Sequence, residues 1–161
     1  TPLKCRTPLN TLVGAIPGAL PPLMGWTAAT GQVSAGGWSL FTLLFVWQLP
    51  HFMAIAWMYR DDYAKAGFKM LSALDSDGSR TAAAGVRYTL ALLPFSLAPV
   101  ALHIAGRFYA VGAILLGVGF LALAIQFARS RTRERARQFF FASILYLPLV
   151  LGLLVFDKIK S

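Results

Sequence analysis

Five apolar stretches dominate the chain, at about 10–29, 38–59, 81–105, 108–128 and 139–156. Each approaches the roughly 20 residues that a helix rising about 1.5 Å per residue needs to cross a bilayer's hydrocarbon. No motif constrains the fold as strongly, because lipid offers no partner to a backbone N–H or C=O and a spanning segment has to satisfy its own. With 57% hydrophobic residues, 13% charged residues and a mean hydropathy of +0.63, the composition also departs far from that of soluble domains. The expected fold is all-α, a polytopic membrane helical bundle. No linker separates the spans, so residues 1–161 read as one domain or part of one.

A net charge of +9 raises nucleic acid as a partner, but Lys and Arg lie in short clusters between the apolar stretches and form no continuous polar face. Nucleic acid is therefore excluded and the lipid bilayer is the partner. With Lys4 and Arg6 on the cytoplasmic side, that side collects twelve Lys/Arg, Arg87 included, against Arg107, Lys158 and Lys160 opposite. The positive-inside rule then makes the connections at 60–80 and 129–138 cytoplasmic. Cys5, the single cysteine, allows neither an intrachain disulfide nor a zinc site. The chain starts in a polar segment without Met and without signal-peptide features, which suggests the C-terminal part of a longer protein.

Polar residues inside the spans mark candidate sites. The first span holds Pro17, Pro21 and Pro22, which remove backbone donors and imply burial among other helices. Its Gly14 and Gly18 have the spacing that permits close helix approach. The second holds Gln48, Pro50 and His51, costly at membrane depth and expected to face protein or a watered cavity. His51 lies ten residues before Asp61, about 15 Å along a continuous helix, so one cavity would carry carboxylates at its mouth and an imidazole at its floor. A histidine satisfied by a neighbouring helix is the plainer account. His103, next to Gly106 and Arg107, reads as an interfacial residue.

The connection after the second span carries Arg60, Asp61, Asp62, Tyr63, Lys65, Gly67 and Lys69. Asp61 and Asp62 are candidate Mg²⁺ ligands, since this hard cation commonly joins one or two carboxylates to substrate phosphates. Helical continuation places Lys65 on the Asp61 face, and Gly67 lets the backbone turn near a ligand. A diphosphate leaving group needs that mixture of metal and cations. The competing account is a solvated turn with weak exposed ion pairs. Asp75 and Asp77 resemble ordinary turn chemistry, with a metal role left open. Arg129, Arg131, Arg133, Arg135 and Arg137 read as a topology determinant touching anionic lipid, the alternative being an arginine gripping a propionate or phosphate.

Four segments in order, Thr7–Asn10, Gly18–Gly31, Trp47-Gln-Leu-Pro-His-Phe52 and Asp61-Asp-Tyr-Ala-Lys-Ala-Gly67, closely resemble the protohaem IX farnesyltransferases, or haem O synthases, which are UbiA-type membrane prenyltransferases. The resemblance runs from Thr1 past the fifth span. It implies an enzyme of nine spans, five of them here, in which two acidic motifs on cytoplasmic loops hold a Mg²⁺-diphosphate. The reaction implied joins the farnesyl group of farnesyl diphosphate to a vinyl group of haem B and gives haem O for terminal oxidases. By this resemblance Asp61 and Asp62 are catalytic and bind metal, and Lys65 joins them as a catalytic candidate from its place in the same loop. Arg60, Tyr63, Lys69, His51, Gln48 and Asn10 contact substrates, with His51 on the haem side. Trp47, Phe52, Trp57 and Tyr59 are candidates for steadying an allylic cation, or simply pack. Haem A synthase or terminal-oxidase assembly would lie downstream, and a bacterial inner membrane is favoured over a mitochondrial one.

Two departures bear on these expectations. The family's first acidic motif, an Asn followed by Asp residues at helical spacing, is absent from the chain, so these 161 residues alone are expected to be inactive. Lys65 also stands where many relatives have a second acid, which leaves room for direct diphosphate contact by Lys65 or Lys69. The alternatives are a UbiA-type enzyme with an aromatic acceptor, which would lack Pro50-His51-Phe52, and a non-enzymatic membrane subunit.

Overall fold

A computed structural model describes residues 10–67 and 71–158. These residues form eight helices and no strand: α1 (Asn10–Thr30), α2 (Ala35–Met58), α3 (Arg60–Lys65), α4 (Leu71–Leu74), α5 (Ser79–Ser96), α6 (Ala98–Ala101), α7 (Arg107–Ser130) and α8 (Arg133–Phe156). α1, α2, α5 with α6, α7 and α8 are the five segments long and apolar enough to cross a membrane. The chain is thus an all-α polytopic membrane bundle.

α2 is the hub, packing on α1, α5 and α8, while α7 packs on α5 and α8. Half of an 18-residue window of α2 is buried against 11% for α1, which touches α2 along one stripe of Ala15, Ala19 and Leu23. Outside that stripe Val13, Ile16, Leu20 and Met24 are exposed among the described residues. Close approach occurs at Gly18, where a Cβ would overlap the Gln48 side chain, and not at Gly14, which faces open space. Behind α2 an aromatic core joins Phe120, Phe127, Phe139 and Tyr146 in offset stacks between α7 and α8.

Both helix ends around the arginine row reach further than hydropathy suggests. The connection expected over 129–138 shrinks to Arg131 and Thr132, because Thr132 caps α8 by accepting a hydrogen bond from the Arg135 N–H at 3.3 Å. Arg131 adopts the left-handed conformation (φ 52°) that ends α7. The third span likewise breaks into α5 and α6 at Leu97.

Long-range bonds group the connections at the two ends of the bundle. Trp57 Nε1 donates to the Arg131 carbonyl at 2.9 Å and Arg131 pairs with Asp77 at 3.1 Å, so the α2–α5 and α7–α8 connections share one end. At the other, Asp157 accepts from the Tyr109 N–H at 2.8 Å and its carbonyl accepts from the Gly106 N–H at 3.1 Å. His103, exposed and at φ 56°, lies in the α6–α7 turn at that second end.

Candidate functional site

The first part of the site is the α2–α8 seam. Trp47 and His51, four residues apart on α2, share a helix face and both reach Ser143 on α8. Trp47 Nε1 donates to the Ser143 carbonyl at 2.8 Å, and His51 Nδ1 lies 2.7 Å from Ser143 Oγ. The imidazole stacks on Trp47 at 5.1 Å between ring centroids and on Phe140 at 5.0 Å. Ser143 Oγ itself donates to the Phe140 carbonyl. A hydroxyl has one proton, so Ser143 meets His51 as an acceptor and Nδ1 carries the imidazole hydrogen. Nε2 is then a bare lone pair, without a partner among the described residues.

Gln48, also on α2, faces the opposite neighbour. Its Nε2 donates to the Ala15 carbonyl at 3.3 Å and the Leu44 carbonyl at 3.2 Å, tying α1 to α2 in a buried setting. Asn10 opens α1, and Lys69 lies outside the described residues.

The second part is the charged end. At Tyr59 (φ −111°, ψ 22°) the helix is interrupted, and α3 follows directly. Arg60 folds back with its guanidinium 4.3 Å from the Trp57 ring and 3.5 Å from Asp61. Asp61 is 82% exposed in its side chain, so that ion pair contributes little stability. Asp62 and Lys65 are exposed and Tyr63 is half-buried. Gly67, in the left-handed region at φ 70°, follows α3.

Two clefts open at this end, and His51 lines neither of them. The smaller, about 220 Å³, is lined by Arg60, Asp61, Ala64, Ser72, Ala73, Asp75 and Ser76, with Asp62 outside the lining. The larger, about 550 Å³, lies between Met58, Tyr59 and the first turns of α8, and Phe140, the stacking partner of His51, forms part of its wall. Consecutive helical residues diverge by about 100°, which explains why Asp61 and Asp62 do not share a cleft.

Ser72 has no distinguishing sequence signal. It is 2% exposed, its Oγ has no hydrogen-bond partner among the described residues, and it borders the Asp61 cleft. Asp75 is buried and serves α5: its Oδ2 accepts from the Thr81 N–H at 2.7 Å and Thr81 Oγ1 at 2.8 Å. Asp77 accepts from the Ser79 hydroxyl at 2.8 Å and N–H at 3.2 Å. Those bonds, the hydroxyl's foremost, hold the Asp77 carboxyl below its ordinary value, with a smaller contribution from Arg131. Among the described residues no three His, Cys, Asp or Glu side chains cluster as a metal cage. Trp57 is buried beneath Arg60, against Phe127 and Gly78, so it packs and does not present a face to a ligand.

Comparison with known proteins adds a family and relatives. The profile of the UbiA prenyltransferase family matches residues 1–145. A "Protoheme IX farnesyltransferase" of Solibacter usitatus is 51% identical over 98% of this chain and 54% of its own length. One of Salinibacter ruber is 48% identical over 98% of this chain and 56% of its own length. A mitochondrial one of Arabidopsis thaliana is 40% identical over 100% of this chain and 37% of its own length. The chain thus spans about half the length of these bacterial relatives. No solved structure matches it.

Proposed function

The chain belongs to the UbiA prenyltransferase family, and from that premise we propose that its full-length protein transfers a farnesyl group from farnesyl diphosphate to a vinyl group of haem B, giving haem O. The relatives' names support this reading. The observation that carries it is the His51 imidazole, flanked by Trp47 and Phe140 and fixed through Nδ1 so that Nε2 is free. A flat iron porphyrin calls for aromatic walls, and a bare imidazole nitrogen is a common partner of its iron.

In the reaction the allylic C–O bond breaks and diphosphate departs with the electron pair. The vinyl π electrons form the new C–C bond, and water captures the cation left beside the porphyrin while losing a proton. Arg60, Lys65 and Lys69 counter the growing charge on the diphosphate, and Tyr63 and Ser72 offer hydrogen bonds to its oxygens or to a bound water. Asp61, joined by Asp62 from the next position of α3, would hold Mg²⁺, which when bound neutralises diphosphate charge. Two carboxylates suit an ion that shares its coordination with phosphates, and do not suit an all-protein cage. The apolar helices keep bulk water from the cation. Gln48 and Asn10 act at the α1 side of the acceptor pocket, Gln48 by holding α1 against α2.

The charged end of the bundle is read as cytoplasmic, by the positive-inside rule, in a bacterial inner membrane. Haem A synthase or terminal-oxidase assembly would receive the product. The test is haem O formation from haem B and farnesyl diphosphate in membranes carrying the full-length protein, alongside D61N and D62N. Because Asp61 lines the cleft and Asp62 does not, D61N is expected to lose at least about tenfold more activity than D62N. Undiminished product in both well-inserted variants returns this segment to a solvated turn, and no haem O from the parent moves the acceptor elsewhere.

A further inference from the structure

The arginine row alternates in sequence, but the helices sort it into distinct environments. Arg131 pairs with Asp77, and Arg135 donates to Gln126 at 3.0 Å and Gln138 at 2.8 Å. Arg133 and Arg137, four residues apart and so on one face of α8, line the 550 Å³ cleft. Arg133 has no hydrogen bond or ion pair among the described residues, and Arg137 lies over the Phe141 ring at 5.5 Å. Both guanidinium groups thus have donor capacity left for a ligand.

Below them the cleft wall turns apolar through Met58, Phe140 and Phe141, and Phe140 stacks on His51. Arg137 precedes Ser143, the partner of His51, by six residues, about 9 Å along α8, and Arg133 by ten, about 15 Å. Reading inward from the membrane surface, the seam therefore presents cations, then aromatic rings, then a bare imidazole nitrogen. A porphyrin that carries two carboxylates on one edge has the complementary sequence of groups. Glu134 lines the same cleft and offsets one of the two positive charges.

We infer that Arg133 and Arg137 clamp the two carboxylates of the porphyrin acceptor and so set its depth and rotation against His51. This rests on the prenyl-transfer reading above, and deepens it by naming the acceptor's anionic anchor. Bidentate guanidinium–carboxylate pairing orients as well as attracts, which would decide which ring edge faces the farnesyl group.

The experiment is a Soret titration of the full-length protein with haem B and with its dimethyl ester, in which the carboxylates are masked. R133Q/R137Q is expected to weaken haem B binding by about tenfold or more while changing ester binding by less than about threefold. E134Q is expected to tighten haem B and leave the ester unaffected. Equal loss for acid and ester, or unchanged haem B binding in R133Q/R137Q, overturns the clamp while leaving the prenyl-transfer reading intact. Parent protein that neither binds haem B nor forms haem O overturns that reading instead.

Discussion

Replacing Ser143 with Ala tests the polar seam between α2 and α8 directly. Ser143 is wholly buried and its Oγ engages two groups. Its donation to the Phe140 carbonyl is a local back-bond within α8, and that carbonyl keeps its helical partner, so this loss is small. The void left is smaller than a methyl group. Trp47 bonds to the Ser143 carbonyl, which the substitution leaves in place. What remains is His51, whose Nδ1–H loses its acceptor between two aromatic rings, and an unsatisfied donor in such a place costs about 1–3 kcal/mol. In an H51F background that donor is already gone, so S143A costs close to nothing there. A double-mutant cycle on S143A and H51F, read by reversible unfolding of the full-length protein in mixed micelles, should give a coupling of at least about 1 kcal/mol. Haem B binding should weaken in S143A as well, because the imidazole loses the bond that fixes its orientation. Additivity of the two substitutions within about 0.5 kcal/mol would refute the assigned tautomer and the bond it rests on.

Asp75→Ala removes the acceptor of the Thr81 N–H and hydroxyl, and should cost about 1–2 kcal/mol, with faster hydrogen exchange confined to amides in the first turn of α5. Asp77 titrates below its ordinary value of 3.8, so its contribution is fully present above that pH and is lost as pH falls through the lower folded value. Unfolding midpoints of the parent and D77N should therefore run parallel from pH 5 to 8 and converge only in stronger acid. Gly78 adopts φ 76° and a Cβ there would overlap the Trp57 ring, so G78A should cost about 1–2 kcal/mol for the backbone alone. Its second signature is a shifted tryptophan emission as Trp57 moves off the Arg131 carbonyl.

Some of the candidate residues' surroundings were readable in the sequence. Gln48 and His51 stand out because polar side chains at membrane depth need protein partners, and both have them. The helical relation of Asp61 and Lys65 was likewise visible from their spacing, and α3 contains both. Other features were not visible. Asp75 looks like a turn residue, yet it is the buried cap of α5, since Gly78 in the capping position has no side chain with which to accept a bond. Ser72 becomes a candidate only because its hydroxyl is buried at the edge of the Asp61 cleft without a partner among the described residues.

The sequence alone determined that the chain is a bundle of membrane helices. Apolar runs of spanning length leave the backbone no other way to satisfy its hydrogen bonds, and that requirement is local to each run. It also determined that charge collects between the second and third spans and between the fourth and fifth. Only the tertiary structure decided which arginines are already engaged and which line a cleft, because alternation along a chain says nothing of rotation about a helix until its first residue is known. Only it decided the proton position on His51, which depends on Ser143, 92 residues away in the chain.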